Sequence, residues 1–174
     1  MHNLTDFIRI VPDYPTVGIQ FYDLNSLFSG PVFSDVITSL CSLADNFDTP
    51  THIAGIESRG FVVGSALAYA LNLPFLMIRK EKSKYPGELF KESYDLEYGQ
   101  DTLTLQQGIL GHTSRVIIVD DLVATAGSIL ASKRLIGKTG AKVLGGLTVI
   151  DLSYLRSSYT LKDFQLYSVF NKKE

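Results

Sequence analysis

The chain is short of the groups that several function classes need. A single cysteine, Cys41, in 174 residues leaves no disulfide within the chain and suits a reducing compartment. In the run Val36–Leu43 it reads as a small hydrophobe on a buried helix face. Three histidines, His2, His52 and His112, stand far apart and show no metal-ligand spacing. Charge of one sign is lacking as well. The 16 Lys+Arg against 18 Asp+Glu give a net charge of −2, too weak a positive field for a nucleic-acid backbone or an anionic membrane. Met1–Asp6 has neither a basic start nor an apolar core, so no signal peptide is expected. Residues 61–78 form an 18-residue stretch without charge, the edge of membrane-span length. Asn72 and Pro74 interrupt it, so a helix, a turn and a buried strand are expected there. There is no repeat, low-complexity tract or linker, and the length suits one domain, residues 1–174.

What is present is a rhythm of apolar runs. His52–Ile56, Phe75–Ile78, Val116–Val119 and Val143–Ile150 are strand-length and lack polar alternation, as strands covered on both faces do. Helix-like segments lie between or beside them at Pro31–Phe47, Arg59–Leu71 and Ala126–Lys138. The alternation predicts parallel βαβ units, with right-handed crossovers placing helices on both faces of an open, mainly parallel sheet. Two regions break the rhythm. The first 30 residues read as loop and short elements. Lys80–Gln100 carries nine charges with Pro86, Gly87 and Gly99; it could form a hairpin or a mobile lid, and its composition favours a plain solvated loop.

The strongest chemical signal is the run Val116–Ser128. Four β-branched residues form a buried strand, Asp120 and Asp121 mark its carboxyl end, and a small-residue loop leads into a helix. Ligands of open α/β sheets bind at such ends. A tight loop at a helix N-terminus offers free N–H groups and a positive dipole end to a phosphate, with the hydroxyls of Thr125 and Ser128 as further donors. The two acids suit sugar hydroxyls or a metal-bound ligand. A phosphate beside a diol is a ribose phosphate. The run lacks the lysine of a P-loop and the spaced glycines of a dinucleotide turn.

Here the segment resembles the phosphoribosyl pyrophosphate (PRPP) signature of type I phosphoribosyltransferases. Three further segments resemble the adenine phosphoribosyltransferases: Pro12–Asp23 their adenine-side segment, Ala54–Phe61 their pyrophosphate loop, and Ser93–Gly99 the end of their catalytic loop. With Ile78–Lys80 the likeness runs in order from about Ile8 to Ile150. The resemblance implies that Ala124, Thr125, Ala126, Gly127 and Ser128 surround the 5′-phosphate, with Asp120 and Asp121 at the ribose hydroxyls. Glu57, Ser58, Arg59, Gly60, Arg79 and Lys80 would serve the pyrophosphate. Phe21 would stack on the base while backbone groups around Gln20 and Tyr22 read its edge. Glu97, aided by Tyr98 and Lys84, would handle the proton at the adenine ring.

The implied reaction is adenine plus PRPP giving AMP and pyrophosphate, in purine salvage. The implied cofactor is Mg²⁺ held mainly by PRPP. A cytoplasmic homodimer is implied, with residues 1–30 as a hood and 80–100 as a flexible lid; neither nucleic acid nor membrane is expected as a partner. Two departures stand out: Ala126 where many relatives have Gly, and Tyr22 where some have Arg. Read without the resemblance, Ser58-Arg59 is equally a capped helix with a surface arginine, and Phe21 is more readily a core side chain than a stacking platform. A phosphoribosyltransferase for another purine and a non-catalytic PRPP sensor remain open at this point.

Overall fold

The four apolar runs all become parallel strands, as their lack of polar alternation requires. The computed structural model describes residues 4–96 and 99–173. The chain divides into two compact units, residues 1–39 and 40–174.

In the first unit, β1 (Arg9–Pro12) and β2 (Gln20–Asp23) pair antiparallel, with Val11 opposite Phe21 and Pro12 opposite Gln20. The turn between them is closed by the Gly18 N–H donating to Asp13 Oδ1 at 2.7 Å. The helices α1 (Asn25–Ser29) and α2 (Phe33–Ala44) follow, and the division between the units falls inside α2. Leu24, Leu27, Val32 and Val36 are fully buried.

The second unit carries β3 (His52–Ile56), α3 (Arg59–Ala70), β4 (Phe75–Lys80), β5 (Leu89–Leu96), β6 (Gly99–Gln106), β7 (Arg115–Val123), α4 (Gly127–Gly137), β8 (Lys142–Leu152) and β9 (Leu166–Lys172). They form one seven-stranded sheet in the order β5-β6-β4-β3-β7-β8-β9. From β4 to β9 neighbouring strands are parallel, while β6 joins β4 and β5 antiparallel. The helices α3 and α4 cover opposite faces. On one face α3 lies so close to β3 that a Cβ on Gly64 would sit 2.9 Å from the Phe75 ring and 3.3 Å from the Gly55 backbone. On the other, Ala131, Leu135 and Ile136 of α4 share a buried cluster with Ala54, Ile56, Leu76, Ile78 and Ile118, the alternate residues of the same strands.

The uncharged stretch 61–78 is most of α3, a turn and β4, and no described helix is long and apolar enough to cross a membrane. Two sequence expectations need correction. Most of Lys80–Gln100 is not a plain solvated loop. After a 3-10 turn over Glu81–Ser83 the chain enters β5, which pairs with β6 from Leu89–Gln106 to Leu96–Gly99 and extends the sheet. Lys91 and Asp95 occupy one face of a hairpin whose other face buries Tyr94, Leu103 and Leu105 and turns Glu92 onto Arg134 and Lys138 at the end of α4; charge density alone hid that alternation. The strand expected over Val116–Val119 also continues, and its pairing to β8 reaches Val123–Asp151, so the two acids belong to the strand.

Candidate active site

Strand pairing itself opens the site. The β3–β7 ladder ends at Gly55–Val119, whereas the β7–β8 ladder continues to Val123. Past Val119, β7 therefore loses its neighbour on one side. At that point β3 turns into α3 on one face and β7 turns into α4 on the other. That is the topological switch point where open α/β sheets take their ligands. A pocket of about 320 Å³ lies there, lined by residues 56–59, Lys80, Tyr94, 120–122 and 124–128.

The β7–α4 turn presents backbone. Ala126, the N-cap of α4, has φ 69° and ψ 9°, and no side chain caps the helix. The left-handed residue reverses the chain while leaving the first amides of α4 without a side-chain acceptor, which suits an anion. Ala126 takes this conformation although its methyl makes it cost about 1–2 kcal/mol relative to glycine. The methyl is 2% exposed, so the fold rather than the residue sets the angle.

The β3–α3 turn is a second uncapped helix start. The Glu57–Ser58 peptide is cis, and Ser58 occupies the N-cap position without a side-chain cap bond. Of the two readings open from the sequence, the plainly capped helix is not met, since the Ser58 hydroxyl makes no cap bond. Gly60 explains why the turn can press on β7. A Cβ there would meet Asp120 Oδ1 at 2.9 Å and the Val119 carbonyl at 3.0 Å.

Electrostatics at the floor of the pocket is set by Asp120 and Asp121, both buried. Asp120 Oδ1 accepts from the Asp121 N–H at 2.9 Å. Burial, and then the charge of Asp121, hold Asp120 well above the ordinary carboxylate range. Asp121 is raised too, by burial, with the Arg59 guanidinium opposing. Arg59 Nε lies 2.9 Å from Asp121 Oδ2, without hydrogen-bond alignment. Asp121 Oδ2 is buried without a hydrogen-bond partner, so the pair presents an acceptor to a cationic or hydroxyl group.

The remaining walls come from the end of β4 and from the β5–β6 hairpin. Glu57 accepts from the Lys80 N–H at 2.9 Å and from the Ser83 hydroxyl. Burial would raise its carboxyl, but these bonds and Arg79 hold it below the ordinary value. Lys80 Nζ is 3.0 Å from Asp101, the cross-strand partner of Tyr94, whose hydroxyl bonds the same carboxylate. Burial, with the negative charges of Asp101 and Asp120, pushes Tyr94 up to about 12, so it stays a protonated donor.

Residues 25–173 match the phosphoribosyl transferase domain family. The adenine phosphoribosyltransferase of Rhodospirillum rubrum is 45% identical over 154 residues, covering 88% of this chain and 90% of that one. The crystal structure of the Thermoanaerobacter pseudethanolicus enzyme superposes with a TM-score of 0.90 at 34% identity, over 97% of this chain and 98% of that one. The Saccharomyces cerevisiae enzyme, complexed with adenine and an imino-altritol bisphosphate, gives 0.88 at 35% identity over 95% and 96% of the two chains. The chain belongs to the adenine phosphoribosyltransferase family.

Of the residues that the resemblance to adenine phosphoribosyltransferases singled out, Glu57, Ser58, Arg59, Lys80, Asp120, Asp121 and 124–128 line the one pocket. Gly60 lies directly behind Asp120. Arg79 and Lys84 are not in the wall. Arg79 stacks over Tyr85 at 5.1 Å and lies 3.5 Å from Glu57, and Lys84 ends the 3-10 turn at φ 46°. Gln20, Phe21 and Tyr22 form β2 in the other unit, where Phe21 meets Tyr14 edge-on at 5.1 Å and Tyr22 is buried. Glu97 and Tyr98 lie outside the described residues. Sequence reasoning missed Ile56, Leu122 and Tyr94 in the wall. Strand alternation across 89–96 was the signal that could have found Tyr94.

Proposed function

We propose that this crevice is where the chain transfers the phosphoribosyl group of PRPP to adenine, giving AMP and pyrophosphate. The observation that carries the reading is two uncapped strand-to-helix turns flanking one buried acid pair. One phosphate fits the β7–α4 turn, where the amides of residues 125–128 and the hydroxyls of Thr125 and Ser128 donate. The ribose hydroxyls fit Asp120 and Asp121. The diphosphate falls to the Ser58–Gly60 turn with Arg59 and Lys80, while Arg79 and Glu57 brace the strand end that carries Lys80. Arg59 then exchanges Asp121 for an anionic oxygen, and the freed carboxylate accepts from a hydroxyl.

In the reaction, adenine N9 bonds to the anomeric carbon as its bond to the pyrophosphate oxygen breaks, and pyrophosphate leaves with the electron pair. Charge grows on the leaving group, which Arg59 and Lys80 offset. Glu97 takes the proton released from adenine, with Tyr98 and Lys84 assisting from the lid. The lid over residues 80–100 excludes water that would hydrolyse PRPP. Phe21 stacks on the base, and backbone groups at Gln20 and Tyr22 read its edge. Hypoxanthine reverses the donor and acceptor of adenine there, leaving each buried partner unpaired at about 1–3 kcal/mol. All 174 residues act as one functional domain in this reading.

Mg²⁺ would be held mainly by the oxygens of PRPP, with the hard carboxylate oxygens of Asp120 and Asp121 beside it, and would neutralise charge on the diphosphate. The reading also places the chain in the cytoplasm as a homodimer, without nucleic acid. The apolar Val62 and Tyr69, exposed a spacing of seven apart on α3, support a second copy.

The test is a base panel with PRPP and Mg²⁺. AMP formed from adenine alone is the expected result. Turnover of another purine would overturn the base assignment, and PRPP binding without turnover would point to a sensor. Glu97→Ala is expected to lower kcat by roughly 10²–10⁴-fold with PRPP binding kept; an unchanged kcat removes Glu97 from the mechanism.

A further inference from the structure

One buried ion pair lies outside the pocket and takes no part in the steps above. Arg156 and Asp151 are joined by two parallel hydrogen bonds, Nη1 to Oδ1 at 2.6 Å and Nη2 to Oδ2 at 2.7 Å. Their side chains are 9% and 6% exposed. Asp151 stands at the far end of β8, between Val123 of β7 and Asn171 of β9 in the strand register. Asn171 Nδ2 donates to Asp151 Oδ2 at 3.2 Å, and the Ser153 hydroxyl donates to Asn171 Oδ1 at 2.8 Å. The carboxylate is thus fixed from both sides. The guanidinium spends its remaining Nη1 proton on the carbonyl of Ala124, at 3.0 Å.

Ala124 is the first residue of the small-residue turn. In a planar trans peptide the carbonyl of one residue and the N–H of the next point in opposite directions. Holding the Ala124 carbonyl toward Arg156 therefore turns the Thr125 N–H away from Arg156. It also removes a carbonyl dipole from among groups that must face an anion. Only arginine can serve both carboxylate oxygens and a third acceptor from one rigid plane.

We propose that Arg156 is a positioning residue for the phosphate turn: paired to Asp151, it fixes the Ala124–Thr125 peptide so that the Thr125 amide is preorganised for the phosphate of PRPP. This rests on the reading of that turn as the phosphate site. The effect belongs to PRPP binding rather than to chemistry at the base, and that separates it from a merely structural ion pair.

The experiment measures KM for PRPP, KM for adenine, kcat and Tm in wild type, Thr125→Ala, Arg156→Lys and the double variant Arg156→Met/Asp151→Leu. The double variant exchanges a buried ion pair for apolar groups of similar volume, which proteins commonly tolerate. Its KM for PRPP is expected to rise about tenfold, the effect of losing one charge-assisted hydrogen bond. KM for adenine and kcat at saturating PRPP should stay within about twofold, the pattern of lost ground-state binding. Arg156→Lys, whose ammonium retains one donor for Ala124, should rise only about threefold. A wild-type KM for PRPP in the double variant, with Thr125→Ala raised and only Tm altered, would overturn the proposal. If the double variant does not fold, a wild-type KM for PRPP in Arg156→Lys overturns it equally. Were neither Thr125→Ala nor the Arg156 variants to raise KM, the phosphate reading of the turn would fail and the proposal with it.

Discussion

The two strand-to-helix turns beside the acid pair solve a similar problem with opposite means. Both leave their helix starts without a side-chain cap, and both sit at carboxyl ends of neighbouring parallel strands. The β7–α4 turn offers almost nothing but backbone and hydroxyl, and it reverses through a left-handed Ala126. The β3–α3 turn adds the cation Arg59 and uses Gly60 to bring that cation against Asp121. The difference matches what each would hold. A ribose phosphate stays bound through the reaction and needs fixed geometry. A pyrophosphate gains charge as it leaves and needs a mobile positive group. In the proposed reading, preorganisation would stand on one side of the ribose and exchangeable charge on the other.

The largest expected break comes at the contact between the turns. In Gly60→Ala the added methyl would sit 2.9 Å from the Asp120 carboxylate and 3.0 Å from the Val119 carbonyl, so the turn and the acid must shift apart and lose their positions. PRPP turnover should fall about 10²-fold, as for misplaced groups in a site, with Tm lowered by overpacking. Wild-type turnover would mean that the close approach is dispensable. Arg59→Leu should come next, with kcat/KM for PRPP lowered by about tenfold or more from loss of one charged contact. An unchanged salt dependence of PRPP binding in that variant would deny Arg59 its role as the exchangeable cation.

A third prediction concerns pH. The folded values of Asp120 and Asp121 lie above those of the unfolded chain, so the native state holds their protons more tightly. Stability from this pair is therefore greatest below the unfolded carboxylate range and falls as pH rises through the raised folded values. Asp120→Asn should consequently raise Tm at neutral pH while weakening PRPP binding, and its gain in Tm should shrink on acidification. A Tm gain independent of pH would contradict the electrostatic account. The smallest effect is expected for Ala126→Gly. Relief of the left-handed methyl, about 1–2 kcal/mol, nearly cancels the lost burial and added chain entropy, each about 1 kcal/mol or less. Activity should be kept and Tm should move by only a few degrees; lost activity would place the methyl itself in the site.

Much of this was legible in the chain. Apolar runs without alternation specified parallel strands because both faces must be covered, and Val116–Ser128 exposed its chemistry because strand, acids and turn are contiguous. Glu57, Ser58 and Arg59 were found through family likeness, since a serine before an arginine has no unique meaning by itself. Tyr94 was hidden because the charges of residues 80–100 mask its hairpin, and Arg156 because its partners lie 5 and 32 residues away in sequence. The sequence by itself determined the order of the four parallel strands and the helices between them, the small-residue turn after β7 and the pair of acids, all encoded in local periodicity and adjacent residues. Only the tertiary structure decided which cation faces Asp121, which hairpin residue walls the pocket and which arginine reaches the Ala124 carbonyl. Those are long-range contacts, set by where the strands end relative to one another and not by any stretch of chain read alone.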